Sequence, residues 1–495
     1  MQASQSHLTF GRHVGYLIIT NAVILLLVFI RLPILTRGLS ASLYGVWTII
    51  NVTILLIVSF ALFTMDLAIV RFLAASKDKN LIREDYFSVF SVILVTGLFF
   101  SVSLFLFSDY FAEFFLKDIK FALYIKIASV LILLNSIQTY TLSFFRTFQK
   151  MGIYSFISML IPLLQISLII TALTLKYELT GVIIAIIISD LLIIAINSTI
   201  ILKHIGFQWP RFKNIKSYLK WGVPLTPNTA ILWVSNVSDR YIVSYFLGVA
   251  AAGIYDVGYQ LGFYALFILG PLSTVIYPAI SKYYNEGNIY EVQKHLKYSF
   301  KYLMMLVIPC VFGLSILAEP LLRTLTTVEF VPGKIVVPYI AVGAVFYCLY
   351  QLCVFIILVV NKTGWNLIIL TISAAVNIAL NIILIPWVGI VGAALATLIA
   401  YAIIGLLHLA VSRRYLKFDL SLPFIGKAMA AATVMAFCIW LINPQSLMMI
   451  ILSIVVGALL YFALLLSIKG FNKQEIDFFT SFVKDNVHRL YLRKG

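Results

Sequence analysis

A succession of apolar stretches, each about 20 residues long and divided by short polar or Gly/Pro-bearing segments, sets what this chain can fold into. Twenty residues of α-helix rise about 30 Å, the thickness of a bilayer's hydrocarbon core. Of 495 residues, 62% are hydrophobic and 11% charged, and the mean hydropathy is +1.04. A soluble chain is about a quarter charged, so these numbers describe an all-α polytopic membrane protein.

Counting the stretches gives about fourteen spans, near 13–35, 44–70, 86–108, 121–145, 153–176, 180–202, 221–246, 251–280, 300–318, 335–360, 365–386, 389–411, 422–442 and 446–468. Pro33, Pro162, Pro224, Pro227, Pro271, Pro278, Pro309 and Pro338 fall inside them as candidate kinks, tolerated where neighbours meet the freed carbonyls. Charge tests the count. With the N-terminus in the cytoplasm, 26 of the 36 basic residues fall in cytoplasmic segments and seven in outer loops; Arg31, Arg240 and Lys427 lie within spans. That bias predicts an even number of spans, fourteen with twelve as the competing count, across the cytoplasmic membrane with both termini in the cytoplasm. No small-x-small cleavage site precedes the second span, so the first is expected to remain as an anchor.

The net charge of +17 is therefore a topology signal and not the footprint of a nucleic-acid partner. Cys310, Cys348, Cys353 and Cys438 lie in or beside apolar runs without metal-ligand spacing and read as packing residues. No cofactor is implied: there is no phosphate-cradling G-x-x-x-x-G-K-[ST] run, and loops 203–220 and 281–299 are too short to house a nucleotide-binding domain.

An internal repeat is legible. LSASLYGVW (39–47) lies over LGVAAAGIY (247–255) at a constant offset, aligning Gly45 with Gly253; KYELTGVIIA (176–185) lies over WVGIVGAALA (387–396), aligning Gly181 with Gly392. Two alignments in the same order predict two six-helix halves of equal orientation, with a cleft between them. The expected organisation is a first lobe over 1–202, a linker over 203–220, a second lobe over 221–411, two further helices over 422–468, and a cytoplasmic amphipathic tail over 469–495.

Charges inside spans cost several kcal/mol unless they face other helices or a wet cavity. Arg31, Asp239 and Arg240 sit roughly 6–11 Å inside the outer boundary by helical rise, where an arginine either snorkels or lines a cavity. Adjacent helical residues point about 100° apart, so Asp239 and Arg240 cannot both face squarely into one cavity. Asp256 is the expected partner for Arg240, and Arg31 for Asp239. Asp66, near the cytoplasmic end of the second span, is either functional or a local pair with Arg71. Asp190, about ten residues from either end of its span, has no basic neighbour at its depth; it is carried as the neutral acid or serves as a proton or cation site. Asn135, Gln138, Asn377 and Asn381 are polar within spans and read as interhelical glue or as part of a path.

RLPILTRGLSASLYGVW (31–47), SDRYIVSYFLGVAAAGIYDVGYQL (238–261) and NIALNIILIPWVGIVGAALATLIAYAI (377–403) together resemble the polysaccharide-exporter family, the O-antigen and lipid-linked oligosaccharide flippases of the multidrug/oligosaccharidyl-lipid/polysaccharide exporter superfamily. The resemblance implies a MATE-like fold of two pseudo-symmetric six-helix lobes plus two C-terminal helices, working by alternating access. It implies a polyprenyl-pyrophosphate oligosaccharide as substrate, in a lipid bilayer, with glycosyltransferases or a glycan polymerase as neighbours and H+ or Na+ as possible coupling ion. Arg31, Arg37, Arg240 and Asp239 carry over as substrate-binding positions, joined by Asp256, with Asp190, Asp66 and Asp239 as ion-coupling candidates. Ser40 stands where family members commonly have glycine, which puts the loop geometry there in doubt. The chemistry is compatible, because a pyrophosphate wants the fixed, multiply donating charge of arginine. A peptidoglycan-precursor flippase or a cation-coupled drug exporter shares this fold; a membrane glycosyltransferase would need a catalytic acidic loop that is not visible, and an inert scaffold leaves the embedded charges unexplained.

Overall fold

The structure is a computed structural model that describes residues 2–267, 269–471 and 475. The first half comprises α1 (Gln2–Gly38), α2 (Ala41–Leu62), α3 (Met65–Leu73), α4 (Lys79–Leu106), α5 (Ser108–Phe111), α6 (Ala122–Ala128), α7 (Val130–Thr147), α8 (Met151–Thr174) and α9 (Glu178–Ile205). The second comprises α10 (Ile215–Gly222), α11 (Thr226–Val237), α12 (Asp239–Leu247), α13 (Val249–Phe263), α14 (Leu269–Asn285), α15 (Ile289–Leu325), α16 (Val336–Val359), α17 (Thr363–Val388) and α18 (Ile390–Tyr415), followed by α19 (Leu422–Ile442) and α20 (Leu447–Ser467). No strand occurs among the described residues. Helix starts carry their own caps: Ser40, Asp78, Asn288 and Ser446 each accept a backbone N–H of the first turn.

Twelve helical segments among the described residues are long and apolar enough to cross a membrane. The seventh and eighth predicted spans are present as broken helices. Pro224 and Pro227 lack the N–H that would continue the ladder, so the chain steps through a 3-10 turn at Val223–Leu225 before α11, and breaks again at Ser238. Gly222 lies against the Phe63 carbonyl and Gly253 against Gly45, so α10–α12 run antiparallel to α2–α3 over the same depth and make a crossing. The return leg, α13–α14, is interrupted by the 3-10 turn Tyr264–Leu266 and ends with Tyr283 against His295 at the start of α15. Pro33, Pro162, Pro278 and Pro309 sit inside continuous helices, as does Pro320.

The repeat is visible in the packing. A Cβ on Gly45 would lie 1.8 Å from the Val249 carbonyl oxygen, and one on Gly253 would lie 2.7 Å from that of Ala41. Since Ala41 aligns with Val249 and Gly45 with Gly253, the two contacts are reciprocal, as an isologous packing about a two-fold axis requires. Gly181 and Gly392 also share a role, letting α9 close onto α8 and α18 onto α17 at tight hairpins. Gly45→Ala is expected to cost about 1–3 kcal/mol by overpacking backbone against backbone. Gly152→Ala, where a Cβ meets nothing within 4 Å, should be neutral or stabilising by up to about 1 kcal/mol; thermal unfolding of the two purified variants checks the contrast.

Around the Gly45–Gly253 contact the halves are stitched at one end. Glu329 accepts the Ala41 N–H at 2.7 Å, which places a carboxylate on the N-terminus of α2. Beyond α20, Lys301 of α15 donates to both carboxylate oxygens of Glu475 at 2.7 Å. The predicted amphipathic tail otherwise lies outside the described residues from 472 onward.

Candidate functional site

Where α1, α2 and α13 meet, a cavity of about 220 Å³ opens between the halves, with Arg31, Tyr44, Asn51, Asp256 and Gln260 supplying its polar wall. Arg31 reaches it from α1, one turn before Leu35 and Thr36 turn the helix back into the core. Among the described residues no carboxylate lies within 4.0 Å of its guanidinium, although Asp256 shares the cavity and its field reaches the arginine.

Behind this wall lies a closed electrostatic unit. Arg240 donates from Nε to Asp256 Oδ1 at 3.1 Å and from Nη1 to Asp239 Oδ1 at 2.7 Å and the Asn236 carbonyl at 2.8 Å. Its guanidinium stacks on the Tyr259 ring, 3.8 Å from the centroid. The second oxygen of Asp239 accepts from Tyr255 (2.5 Å) and Thr397 (3.2 Å). That of Asp256 accepts from Gln260 (2.6 Å) and Tyr44 (3.2 Å), which carries the network across to the first half. Tyr401 closes the far side, bonded to Tyr259 at 2.7 Å and to Asn236 at 3.1 Å.

Arg240 and Asp239 are each only 2% exposed and neither lines the cavity. Two of the sequence-derived positions therefore change character: Arg240 is a saturated structural cation between two carboxylates, while Arg31 is the cavity's arginine. The expected Arg31–Asp239 pair does not form, because Asp239 heads α12 and points into the second half toward Tyr255 and Thr397. Asp239 and Arg240 bond to each other directly, with Asp256 as the partner from the neighbouring helix.

Arg37 is exposed and donates to the Thr324 carbonyl at the C-terminal end of α15 instead of entering the cavity. Asp66 meets Arg146 of α7 at 3.8 Å; Arg71, five residues on and some 140° around the helix, lies over the Trp221 ring at 5.2 Å. Asp190 is fully buried within the first half, where Gln138 (3.4 Å) and Gln165 (3.2 Å) both donate to Oδ1. Asn381 bonds back to Asn377 in its own helix, so that pair is not the interhelical bridge expected from the sequence. Tyr44, Gln260, Asn51 and Gln165 went unnoticed in the sequence. Only the Asp256–Gln260 spacing, one turn on one helical face, carried a signal that singled any of them out.

The described residues thus form an all-α bundle of two repeat-related halves with a polar inter-half cavity walled by an arginine, and twelve of its helical segments are long and apolar enough to cross a membrane. The chain matches the family model described as polysaccharide biosynthesis protein over residues 34–333, and it belongs to that family. It is 23% identical over 256 residues to the probable low-salt glycan biosynthesis flippase Agl15 of Haloferax volcanii, covering 51% of this chain and 54% of that protein; the chain thus spans about half the length of the curated relatives it matches. Its fold is that of the lipid II flippase MurJ in an inward closed conformation, with a TM-score of 0.75 at 20% identity over 91% of this chain and 99% of that one. An inward-facing multidrug MATE transporter also superposes, with a TM-score of 0.69 at 14% identity over 78% and 93%.

Proposed function

We propose that this protein is a flippase that moves a polyprenyl-pyrophosphate-linked oligosaccharide, an O-antigen unit or another surface glycan, from the cytoplasmic to the outer leaflet of the cytoplasmic membrane. The observation that carries the reading is Arg31, a cavity-lining cation with no carboxylate within 4.0 Å among the described residues, in a wall that otherwise offers hydroxyl and amide groups and the Asp256 carboxylate, which is bonded to Arg240. A pyrophosphate takes the charge and a sugar takes Tyr44, Asn51 and Gln260. The polyprenyl tail stays in lipid while the head crosses. Family membership and the name of the Haloferax relative support the same substrate class.

In this reading both termini face the cytoplasm, the lobes 1–202 and 221–411 alternate about the cavity, and 203–220 links them. The linker is bonded to the first half: Asn214 and Tyr218 each donate to Asp85 at 3.0 Å. Glycosyltransferases that build the substrate and a polymerase or transferase that consumes it are the partners, and the driving ion is H+ or Na+. A lipid II flippase is the second reading, favoured by the MurJ fold and by a shared pyrophosphate head. A cation exporter is disfavoured because Asp239 and Asp256 are both already bonded to Arg240.

Proteoliposome translocation of fluorescent polyprenyl-pyrophosphate oligosaccharide, with lipid II as a parallel substrate, tests the proposal. Movement of the oligosaccharide lipid at least tenfold faster than of lipid II supports it; the reverse preference establishes the second reading, and movement of neither removes both.

A further inference from the structure

Asp190 is a fully buried carboxylate midway along a candidate membrane span that the site above does not use, and its surroundings differ from those of Asp239 and Asp256. Those two have both oxygens bonded and a guanidinium within 3.1 Å. Asp190, with no exposed surface, has both amide donors on Oδ1, while buried Oδ2 meets no partner. A buried carboxylate with an open oxygen and no cation is among the costliest arrangements an interior can hold.

The elements packed on α9 are α2, α4, α6, α7 and α8. α2 and α8 carry no charged side chain. On α6, Lys126 pairs with Asp109; on α7, Arg146 pairs with Asp66; on α4, Lys79, Arg83, Glu84 and Asp85 lie in the first two turns, at the bundle end. On α9 itself, Glu178, Lys203 and His204 are three or more turns away. Tyr140 of α7 is committed to the Tyr86 carbonyl of α4. Among the described residues, the Gln138 and Gln165 amides are the side chains bonded to Asp190.

We infer that Asp190, framed by Gln138 and Gln165, is a reversible single-proton site of the first half, loaded and emptied as the halves alternate. The ligand is a proton and not an alkali ion, because one open acceptor atom satisfies a proton whereas an alkali ion must replace several hydration oxygens. Both glutamines also turn N–H groups toward Oδ1, which an emptied carboxylate accepts and a metal ion would be repelled by. The inference deepens the flippase reading and rests on it for the coupling: the proton taken up at Asp190 is exchanged once per lipid head moved. Two turns further along α9 on the same face, Asn197 donates to Thr141 at 3.0 Å and leaves its carbonyl oxygen without a partner. This extends the polar stripe from Asp190 toward the end bearing the basic loops.

Two measurements on the full chain in liposomes test this. Infrared difference spectroscopy across an acid-to-alkaline step should show the carbonyl band of a buried carboxylic acid in the wild type, absent in Asp190→Asn and shifted in Asp190→Glu. In the transport assay, an imposed pH gradient should shift the wild-type steady-state leaflet ratio of labelled lipid about tenfold per pH unit for one proton, and leave Asp190→Asn unresponsive while it still equilibrates lipid. An Asp190→Asn protein that keeps the band or keeps the gradient response overturns the inference, and so does loss of the wild-type band on adding Na+ at constant pH. Should the asparagine variant misfold, the displaced band and retained gradient response of Asp190→Glu carry the test. An intact titrating band without lipid movement by the wild type would remove the flippase reading and the coupling, while leaving the proton site standing.

Discussion

Arg31→Ala is expected to lose lipid movement by about a hundredfold or more while folding normally. A guanidinium that donates two charge-assisted bonds to a pyrophosphate contributes about 1.5–3 kcal/mol through each, and about 2.7 kcal/mol already amounts to a hundredfold. Among the described residues no carboxylate pairs with Arg31, so its removal strands none there. The thermal midpoint should stay close to wild type, within the roughly 0.5 kcal/mol typical of substitutions that break no buried partnership. Arg31→Lys should recover only part of the rate, since an ammonium keeps the charge but loses the planar fork. The proteoliposome assay with both variants checks this. Wild-type movement by Arg31→Ala would take the arginine off the substrate's route.

Arg240→Met should show the opposite pattern, a stability defect of about 3–5 kcal/mol, because it removes the cation between two buried carboxylates. The Tyr259 face and the Asn236 carbonyl lose their partner in the same step. Adding Asp239→Asn and Asp256→Asn should restore most of the loss, because an uncharged pocket no longer needs neutralising. Thermal unfolding in detergent, followed by tryptophan fluorescence, reports both proteins. If Arg240→Met alone matches the wild type, the guanidinium is not the neutralising centre that the geometry describes. The two arginines, similar in sequence as charges near the outer end of a span, thus separate by one criterion: Arg240 is bonded to two carboxylates, and Arg31 to none among the described residues.

That separation marks where sequence reading ended. The apolar runs of 20 residues set the helical class, because membrane depth sets helix length; of the fourteen predicted spans, twelve are helical segments long and apolar enough to cross among the described residues. The break at the start of the seventh predicted span was written in Pro224 and Pro227, read there only as kinks, whereas the break in the eighth at Tyr264–Leu266 holds no proline. Gly45 and Gly253 announced the repeat; that they touch each other, each facing the other's aligned neighbour, is a fact of packing. The Asp256–Arg240 pair was accessible because both residues lie near the same boundary of consecutive crossings. For Asp66 the sequence left a functional role and a local pair with Arg71 open, the latter on nearness in sequence alone; α7 brings Arg146 there instead.

Local rules bound what a chain can be, since burial periodicity, proline's missing N–H and the cost of an embedded charge act residue by residue. By itself, the sequence determined a polytopic helical membrane protein with paired halves and a few costly charges that had to be accounted for. Only the tertiary structure decided which charges were accounted for: Asp239 and Asp256 by Arg240, Asp190 by two glutamines on one oxygen alone, and Arg31 by no carboxylate contact. The physical reason is that electrostatic satisfaction depends on separations of about 3 Å between helices far apart in sequence, where neither spacing nor hydropathy carries information.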